Sequence, residues 1–210
     1  MTGNGTDLLS RGSCDRIAEA IRSAEAETSG EIVVLVAARA GFYRSAPLLA
    51  ALACGLIVPW PLILLTPWSA ASIALAQVAL VLLVLLAGAP HRARLALVPR
   101  SVRRARAHEA ALREFSARGL ARTEGRTGVL IYLSVAEGHA EIVADRGVAS
   151  RVPAQTWSRT IEGLLGGLRR GEMEAGLVSA VREVGAILAR ELPPEAVPAD
   201  ALPNRVILVG

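Results

Sequence analysis

The longest uncharged stretch of the sequence runs from Ser45 to Pro90 and holds 46 residues without one Asp, Glu, Lys, Arg or His. One crossing of a bilayer takes about 20 apolar residues, so this stretch is long enough for two crossings and a turn between them. The residues on either side are charged and patterned like a soluble domain. Any soluble domain therefore has to be built from the parts that flank this stretch.

We expect a transmembrane hairpin over residues 45–90, with a first crossing at Ala46–Leu65 and a second at Ala70–Ala87. Trp60 and Trp68 lie near the turn between the crossings, and indole rings favour the interface between membrane and water. The alternative is a pair of buried helices in a soluble protein. The core of that protein would have to surround a segment with no charged face.

Two features predict how the crossings are shaped and packed. Pro59 and Pro61 predict a kink in the first crossing, because proline removes a helical hydrogen bond. Small residues recur four apart in each crossing, at Ala51 and Gly55 and at Ala70 and Ala74. This spacing lets two helices approach closely.

Positive charge is concentrated next to the hairpin. All 23 basic residues are Arg, and residues 91–126 contain ten of them against three acids. We expect Arg44, Arg92 and Arg94 at the membrane interface, against anionic lipid head groups. The positive-inside rule then predicts a cytoplasmic soluble domain. The Arg-rich block lacks a recognition motif, so we expect no nucleic-acid partner, and a groove for an acidic protein is the other alternative.

The part before the hairpin predicts one helix and one strand. Residues 1–12 are polar and predict a flexible tail. Ser13 is a suitable N-cap, and the apolar spacing after it predicts a helix over 15–28. Glu31–Ala37 is β-branched and nearly all apolar, which is typical of a strand covered on both faces.

The part after the hairpin predicts helices and strands that end in a Pro-rich tail. The predicted elements are a helix over 101–118, strands over 127–135 and 140–144 joined by a hairpin at 137–139, and helices over 154–169 and 172–191. These assignments follow from apolar periodicity and turn residues. Two prolines at 193 and 194 end the last helix, and residues 205–209 of the 193–210 tail predict a short edge strand.

Both long strands have the pattern of buried strands, so we expect a sheet with helices on both faces. If the strands at 31–37 and 127–135 are parallel neighbours, a right-handed crossover connects them and contains the hairpin. The soluble α/β domain is then discontinuous, at roughly 13–40 plus 99–192.

Three segments carry a resemblance to a known family: AEAETSGEIVVLV, RTGVLIYLSVAEGHAEIVADRGV and WSRTIEGLLGGLRRGEMEAGLVSAVREVGAIL. They resemble the TPM domain family, named for thylakoid-lumen, photosystem II repair and acetylcholine-receptor-modulating members. Within it, the chain is similar to the bacterial subgroup in which membrane helices interrupt the domain. The resemblance implies a three-layer α/β/α sandwich. It also implies phosphatase-like activity, calcium binding or modulation of a partner, each of which is attributed to some members.

Asp145 is the candidate site residue. It follows the predicted strand at 140–144, and side chains at strand ends commonly face a ligand crevice in α/β folds. It also matches the Asp-x-Gly turn of the family, and the resemblance implies a divalent metal there, calcium or magnesium. The alternative is that Asp145 caps the turn before Gly147 through its own backbone.

Other reactive residue types show no catalytic pattern in the sequence. His91, His108 and His139 are isolated and lack metal-ligand spacing, so we expect them at solvated or interface positions. Cys14 starts a soluble helix and Cys54 lies in the apolar stretch, so we expect no disulfide between them. The sequence itself indicates no cofactor.

Two functions agree with these features. The first is a membrane-anchored accessory protein, which docks on a membrane protein partner without catalysis of its own. The second is a metal-assisted, phosphatase-like hydrolase centred on Asp145. The membrane tether and the ordinary set of polar residues favour the first.

Overall fold

The computed structural model describes residues 8–41, 43, 45–122, 124–194 and 206–209. The chain divides into two compact units, one formed by Met1–Ala40 with Arg104–Gly210 and the other by Gly41–Arg103. The first unit contains the sheet, and the second contains the two long apolar segments. The helix Arg100–Ala117 begins in the second unit and continues into the first.

The first unit alternates helices and strands. Its elements are α1 (Arg11–Glu25), β1 (Glu31–Ala37), α6 (Arg100–Ala117), β2 (Gly128–Ser134), β3 (His139–Ala144), α7 (Arg146–Ala149), α8 (Ser158–Arg170), α9 (Met173–Glu191) and β4 (Val206–Val209). Short 3-10 turns lie at Leu120–Arg122, Glu124–Arg126 and Ala154–Trp157. The order of helices and strands is that of an α/β fold.

The strands form one sheet in the order β3-β2-β1-β4. Strand β1 pairs in parallel with β2, where Glu31 lies opposite Gly128, and in parallel with β4, where Val34 lies opposite Val206. Strand β3 returns antiparallel along β2 after the hairpin turn. The two strands that the sequence predicts as buried are therefore the parallel neighbours at the centre of the sheet.

Helices cover both faces of the sheet, because successive side chains of β1 and β2 point to opposite faces and every residue of both strands is buried. The core between the sheet and α1, α8 and α9 includes Ile17, Ile21, Ile32, Val34, Val36, Val129, Ile131, Leu133, Leu164, Leu177, Val181, Val184 and Leu188. The core between the sheet and α6 contains Val33, Leu35, Leu130, Tyr132, Ala107, Ala110, Ala111, Phe115 and Leu120. The three layers match the predicted α/β/α sandwich.

Helix α1 begins earlier than the sequence predicts. The side chain of Ser10, not that of Ser13, is the N-cap, and it accepts a hydrogen bond from the amide of Ser13 at 3.1 Å. Leu9 is buried in the core. The predicted tail over 1–12 is therefore too long, since residues 8–12 belong to the folded unit, while 1–7 lie outside the described residues.

The second unit contains α2 (Ser45–Ile57), α3 (Pro59–Leu65), α4 (Ala70–Ala87) and α5 (His91–Leu97). Helices α2 and α3 together form an apolar segment of 21 residues, and α4 forms one of 18 residues. Both are long and apolar enough to cross a membrane, and only 6 % of each is buried. The most exposed side chains include Leu64 at 78 % and Leu65 at 81 %.

The break between α2 and α3 has a local cause. Pro59 has no backbone N–H, so the carbonyl of Gly55 loses its helical partner. The Nε2 atom of Gln77 on α4 donates a hydrogen bond to this carbonyl at 2.8 Å. A polar side chain in the middle of the second apolar segment therefore compensates for the proline in the first.

The small residues of the two segments do not share one role. Ala51 is buried, and a Cβ on Gly55 would lie 3.4 Å from Val81, so this pair faces the other segment. Ala70 and Ala74 are exposed. Their predicted role in close packing between the two segments is wrong, because a spacing of four does not specify which face of a helix meets its neighbour.

A close contact between α1 and α9 gives the first prediction. A Cβ on Gly185 would lie 2.5 Å from the Cβ of Ala24, so Gly185→Ala is expected to destabilise the first unit by about 1–3 kcal/mol. Gly163→Ala on α8 is the matched control, because no atom lies within 4 Å of its added Cβ. This control should stabilise the helix by up to about 1 kcal/mol. Thermal unfolding of the full chain in detergent, followed by circular dichroism, measures both, and equal effects would contradict the close contact.

The hydrogen bond of Gln77 gives a second prediction. Gln77→Leu leaves the Gly55 carbonyl without its donor and should lower the stability of the second unit by about 1 kcal/mol. Resistance of the purified protein to unfolding by increasing SDS measures this change. Val78→Leu, at an adjacent position that is 57 % exposed, should have little effect. A loss of the same size in both variants would assign the effect to the exposed surface of the segments instead.

Candidate functional site

Asp145 caps the short helix that follows β3. Its Oδ1 atom accepts a hydrogen bond from the amide of Arg146 at 2.7 Å. Its own amide donates to the carbonyl of Gly128 at 2.9 Å, and its carbonyl accepts from the amides of Val148 and Ala149. The residue is only 6 % exposed. Asp145 thus has the capping role that the sequence offers as the alternative to ligand binding.

The position of Asp145 in the sheet differs from the one that the sequence argument assumes. Strand β3 runs antiparallel to β2, with Ala144 opposite Val129. Asp145 therefore lies at the edge where β1 and β2 begin. Ligand crevices of α/β sheets lie at the opposite edge, outside the carboxyl ends of the parallel strands.

One oxygen of Asp145 is nevertheless unusual. The Oδ2 atom is buried and has no hydrogen-bond partner among the residues that the structure describes. The backbone closes tightly over this turn, since a Cβ on Gly147 would lie 2.3 Å from the carbonyl oxygen of Gly125. Both Gly125 and Arg126 have positive φ angles, at 74° and 54°. The turn is thus packed against a loop in left-handed conformation.

The residues around Asp145 do not form a metal centre. Calcium takes about six to eight oxygen ligands, several of them carboxylates. Within the described parts of the chain, no group of three or more His, Cys, Asp or Glu residues is placed to hold a metal ion. Glu162 on α8 is exposed. The single buried oxygen of Asp145 therefore does not fit the calcium or magnesium that the family resemblance implies.

A second polar cluster lies at the carboxyl ends of β1 and β2. The carboxylate of Glu137 accepts hydrogen bonds from the amide of Ala40 at 3.0 Å and from the hydroxyl of Ser134. Ser134 is fully buried. Burial, together with the nearby charge of Glu137, raises the pKa of Tyr132 to about 12. The cluster ties the hairpin between β2 and β3 to the point where the chain leaves β1.

Two of the histidines meet at one carboxylate. The Nδ1 atom of His108 on α6 lies 2.6 Å from Oε1 of Glu141, and Nε2 of His139 lies 3.3 Å from its Oε2. Burial alone would raise the pKa of Glu141, but the hydrogen bonds of His139 and His108 outweigh it and lower this pKa. His108 is exposed and His139 is half-buried. The sequence does not predict that the two meet, because α6 and β3 come together only in the folded unit.

A groove of about 570 Å³ runs between α1 and α9. An ion pair between Arg16 and Glu174 joins the two helices beside it, with Nη2 of Arg16 at 2.7 Å from Oε2. Hydrogen bonds from Arg16 and from Ser13 lower the pKa of Glu174 to about 2. The floor of the groove contains small residues, among them Ala20 and Gly185.

The predicted membrane-interface residues lie in or beside the second unit. Trp60 is 69 % exposed and Trp68 is 53 % exposed, on either side of the end of α3. Arg94 donates from Nε and Nη2 to the carbonyls of Gly88 and Ala89, at 3.1 and 2.7 Å. It thereby caps the carboxyl end of α4, where a cation is favourable. Arg44 and the side chain of Arg92 lie outside the described residues.

Comparison with known proteins identifies a domain family. Residues 91–187 match the family model for the TPM domain, which is somewhat less than half of the chain. The match confirms the resemblance, and it begins after the two apolar segments. No curated protein matches the chain.

A solved structure supports the fold. The NMR structure of the BA42 protein from the psychrophilic bacterium Bizionia argentinensis is similar, with a TM-score of 0.59 and 21 % sequence identity. The similarity covers 95 % of this chain and 94 % of that chain. At this identity, the likeness concerns the fold alone, and it confirms the predicted α/β architecture.

The ion pair between α1 and α9 predicts a pH dependence of stability. The pKa of Glu174 in the folded protein lies below its unfolded value of about 4.3, so its stabilising contribution is complete above that pH. The contribution is lost as the pH falls from about 4.3 to about 2. Unfolding by urea across this range should show a shallower loss of stability in Glu174→Gln than in the native chain. Glu27→Gln, which changes another acid of the same groove, should keep the native slope.

Proposed function

We propose that this chain, whose residues 91–187 match the TPM domain model, is a membrane-anchored interaction module. Its first unit, called the soluble unit in this proposal, docks on a membrane protein partner without catalysis of its own. The observation that carries the proposal is the pair of apolar segments, Ser45–Leu65 and Ala70–Ala87, which are almost entirely unburied. In water this surface would be costly, whereas a bilayer covers it.

The organisation of the soluble unit supports two crossings. Its sheet pairs β1, which precedes the apolar segments, with β2, which follows them. A chain that forms one sheet from both flanks has to return to the side of the membrane that it left. Two crossings satisfy this requirement, and one crossing does not.

The arginines support a cytoplasmic position for the soluble unit. Residues 91–126 carry ten Arg against three acids, directly after the second apolar segment. Positive residues are enriched in cytoplasmic segments beside membrane helices. We therefore place the soluble unit in the cytoplasm of a bacterium, at the inner or plasma membrane.

The polar clusters of the soluble unit favour interaction over catalysis. Ser134 donates to Glu137, and His108 and His139 both contact Glu141, so these side chains hold segments of the fold together. Asp145 caps a helix. These polar side chains are thus engaged in structural contacts. The hydroxyl of Ser134 is bonded to a carboxylate, as that of a nucleophile would be, but the residue is fully buried and out of reach of a substrate.

Co-purification tests the interaction. The full chain carries an affinity tag at its amino terminus, is cross-linked in cells, solubilised in mild detergent and recovered for mass spectrometry. The control is an unrelated two-span membrane protein with the same tag at equal abundance. A membrane protein recovered only with this chain and in a constant ratio supports the proposal. A monomer without a reproducible partner contradicts it.

Cysteine labelling tests the orientation, which is a prediction of its own. In a chain with Cys14→Ser and Cys54→Ala, a single cysteine replaces the exposed Arg159 on α8 or Pro67 between α3 and α4. In intact cells, an impermeant maleimide should label Pro67→Cys but should reach Arg159→Cys only after permeabilisation. The opposite pattern would place the soluble unit outside the cytoplasm.

A phosphatase-like hydrolase centred on Asp145 is the second candidate, favoured by the unpartnered buried Oδ2 atom of this residue. Asp145→Asn retains an oxygen for the helix cap, whereas Asp145→Ala loses it and should cost about 1 kcal/mol of stability. If the hydrolase proposal holds, phosphate-ester cleavage by the full chain disappears in the stable Asn variant. Activity that stays unchanged in this variant would exclude Asp145 as its centre.

A further inference from the structure

The first turns of α6 hold a cluster of arginines without counter-ions. Four of the seven residues from 100 to 106 are Arg, at positions 100, 103, 104 and 106. None of them forms an ion pair with another described residue. Later in the same helix, Arg118 is paired with Glu114 at 3.0 Å. The start of α6 therefore carries positive charge that the protein itself does not neutralise.

The geometry of one helix brings these side chains together. Residues three and four apart are neighbours on a helix surface, so Arg100 lies beside both Arg103 and Arg104. Arg100, Arg104 and Arg106 are exposed. The Nε atom of Arg103 is shielded from solvent and has no acceptor among the described residues. A phosphate oxygen is a suitable acceptor for a guanidinium N–H of this kind.

Arg94 differs from this cluster although it lies close in sequence. Its Nε and Nη2 atoms are bonded to the carbonyls of Gly88 and Ala89 at the end of α4. Its charge is therefore directed at the carboxyl end of that helix. The four arginines at the start of α6 carry no such bonds to described residues and remain available to a ligand.

We propose that the start of α6 binds the phosphate groups of anionic lipids, an inference that rests on the proposed insertion of the apolar segments into a bilayer. Arg100 and Arg103 belong to the same compact unit as these segments. Leu95 and Val98, which lie between α4 and α6, are buried. The phosphates nearest to the cluster are then those of the lipid surface, and Arg is well suited to bind them.

The test compares two triple variants of the full chain that lose equal charge. The test variant has Gln in place of Arg100, Arg104 and Arg106. The control variant has Gln in place of three arginines of α8 and α9, at positions 159, 169 and 182. Each protein is purified in mild detergent with equal amounts of phosphatidylglycerol and phosphatidylcholine. Native mass spectrometry then gives the ratio of the two lipids bound.

The native chain and the control should bind more phosphatidylglycerol than phosphatidylcholine. In the test variant, the ratio of the two lipids bound should be at least about tenfold lower. An arginine near an anionic surface contributes about fivefold, so three of them account for a loss of this size. An equal loss in both variants would assign the preference to net charge and overturn the proposal. The proposal is also overturned if the test variant loses binding to a single-stranded oligonucleotide but keeps its lipid preference.

Extraction of membranes with alkaline carbonate separates the two proposals. If the native chain resists extraction but shows no lipid preference, only the lipid inference fails. If carbonate releases the native chain, membrane insertion fails and the lipid inference fails with it. The test variant should resist extraction like the native chain, because its apolar segments are unchanged.

Discussion

The parallel pairing of β1 with β2 is the contact on which the rest of the protein depends. It places Glu31–Ala37 beside Gly128–Ser134 at the centre of the sheet, with every residue of both strands buried. The two strands come from opposite sides of the apolar segments in the chain. The pairing therefore makes the first unit discontinuous. It also requires that any membrane insertion of the intervening segments returns the chain to the side that it left.

The polar contacts of the first unit also join segments from both sides of the apolar stretch. Glu137 accepts hydrogen bonds from Ser134 in β2 and from Ala40, just after β1. Glu141 joins β3 to His108 of α6, the helix that brings the chain back to the sheet. These contacts link β1, β2, β3 and α6 within the first unit.

Strong local patterns in the sequence predict much of the fold, but they do not predict contacts between segments that lie far apart in the chain. The apolar runs of β1 and β2 and the periodicity of α9 are sufficient to predict those elements. Ser10 and Ser13 are equally good N-caps, so the sequence places the start of α1 incorrectly. The strand-end argument for Asp145 fails because only the pairing of β3 shows which edge of the sheet it occupies. The contacts of Glu137 with Ala40 and of Glu141 with His108 leave no local signal, since these partners lie 97 and 33 residues away in sequence.

The interruption of the domain also orders its synthesis. Ala40 and its partner Glu137 lie 97 residues apart, and both apolar segments are made between them. When β1 leaves the ribosome, it is an apolar strand with no neighbour, and its partner β2 follows only after the second segment. Closing a loop of this length costs chain entropy, which a hairpin already held in the bilayer would reduce by bringing its two ends together. On the proposed insertion, the apolar segments would thus nucleate the pairing of β1 with β2.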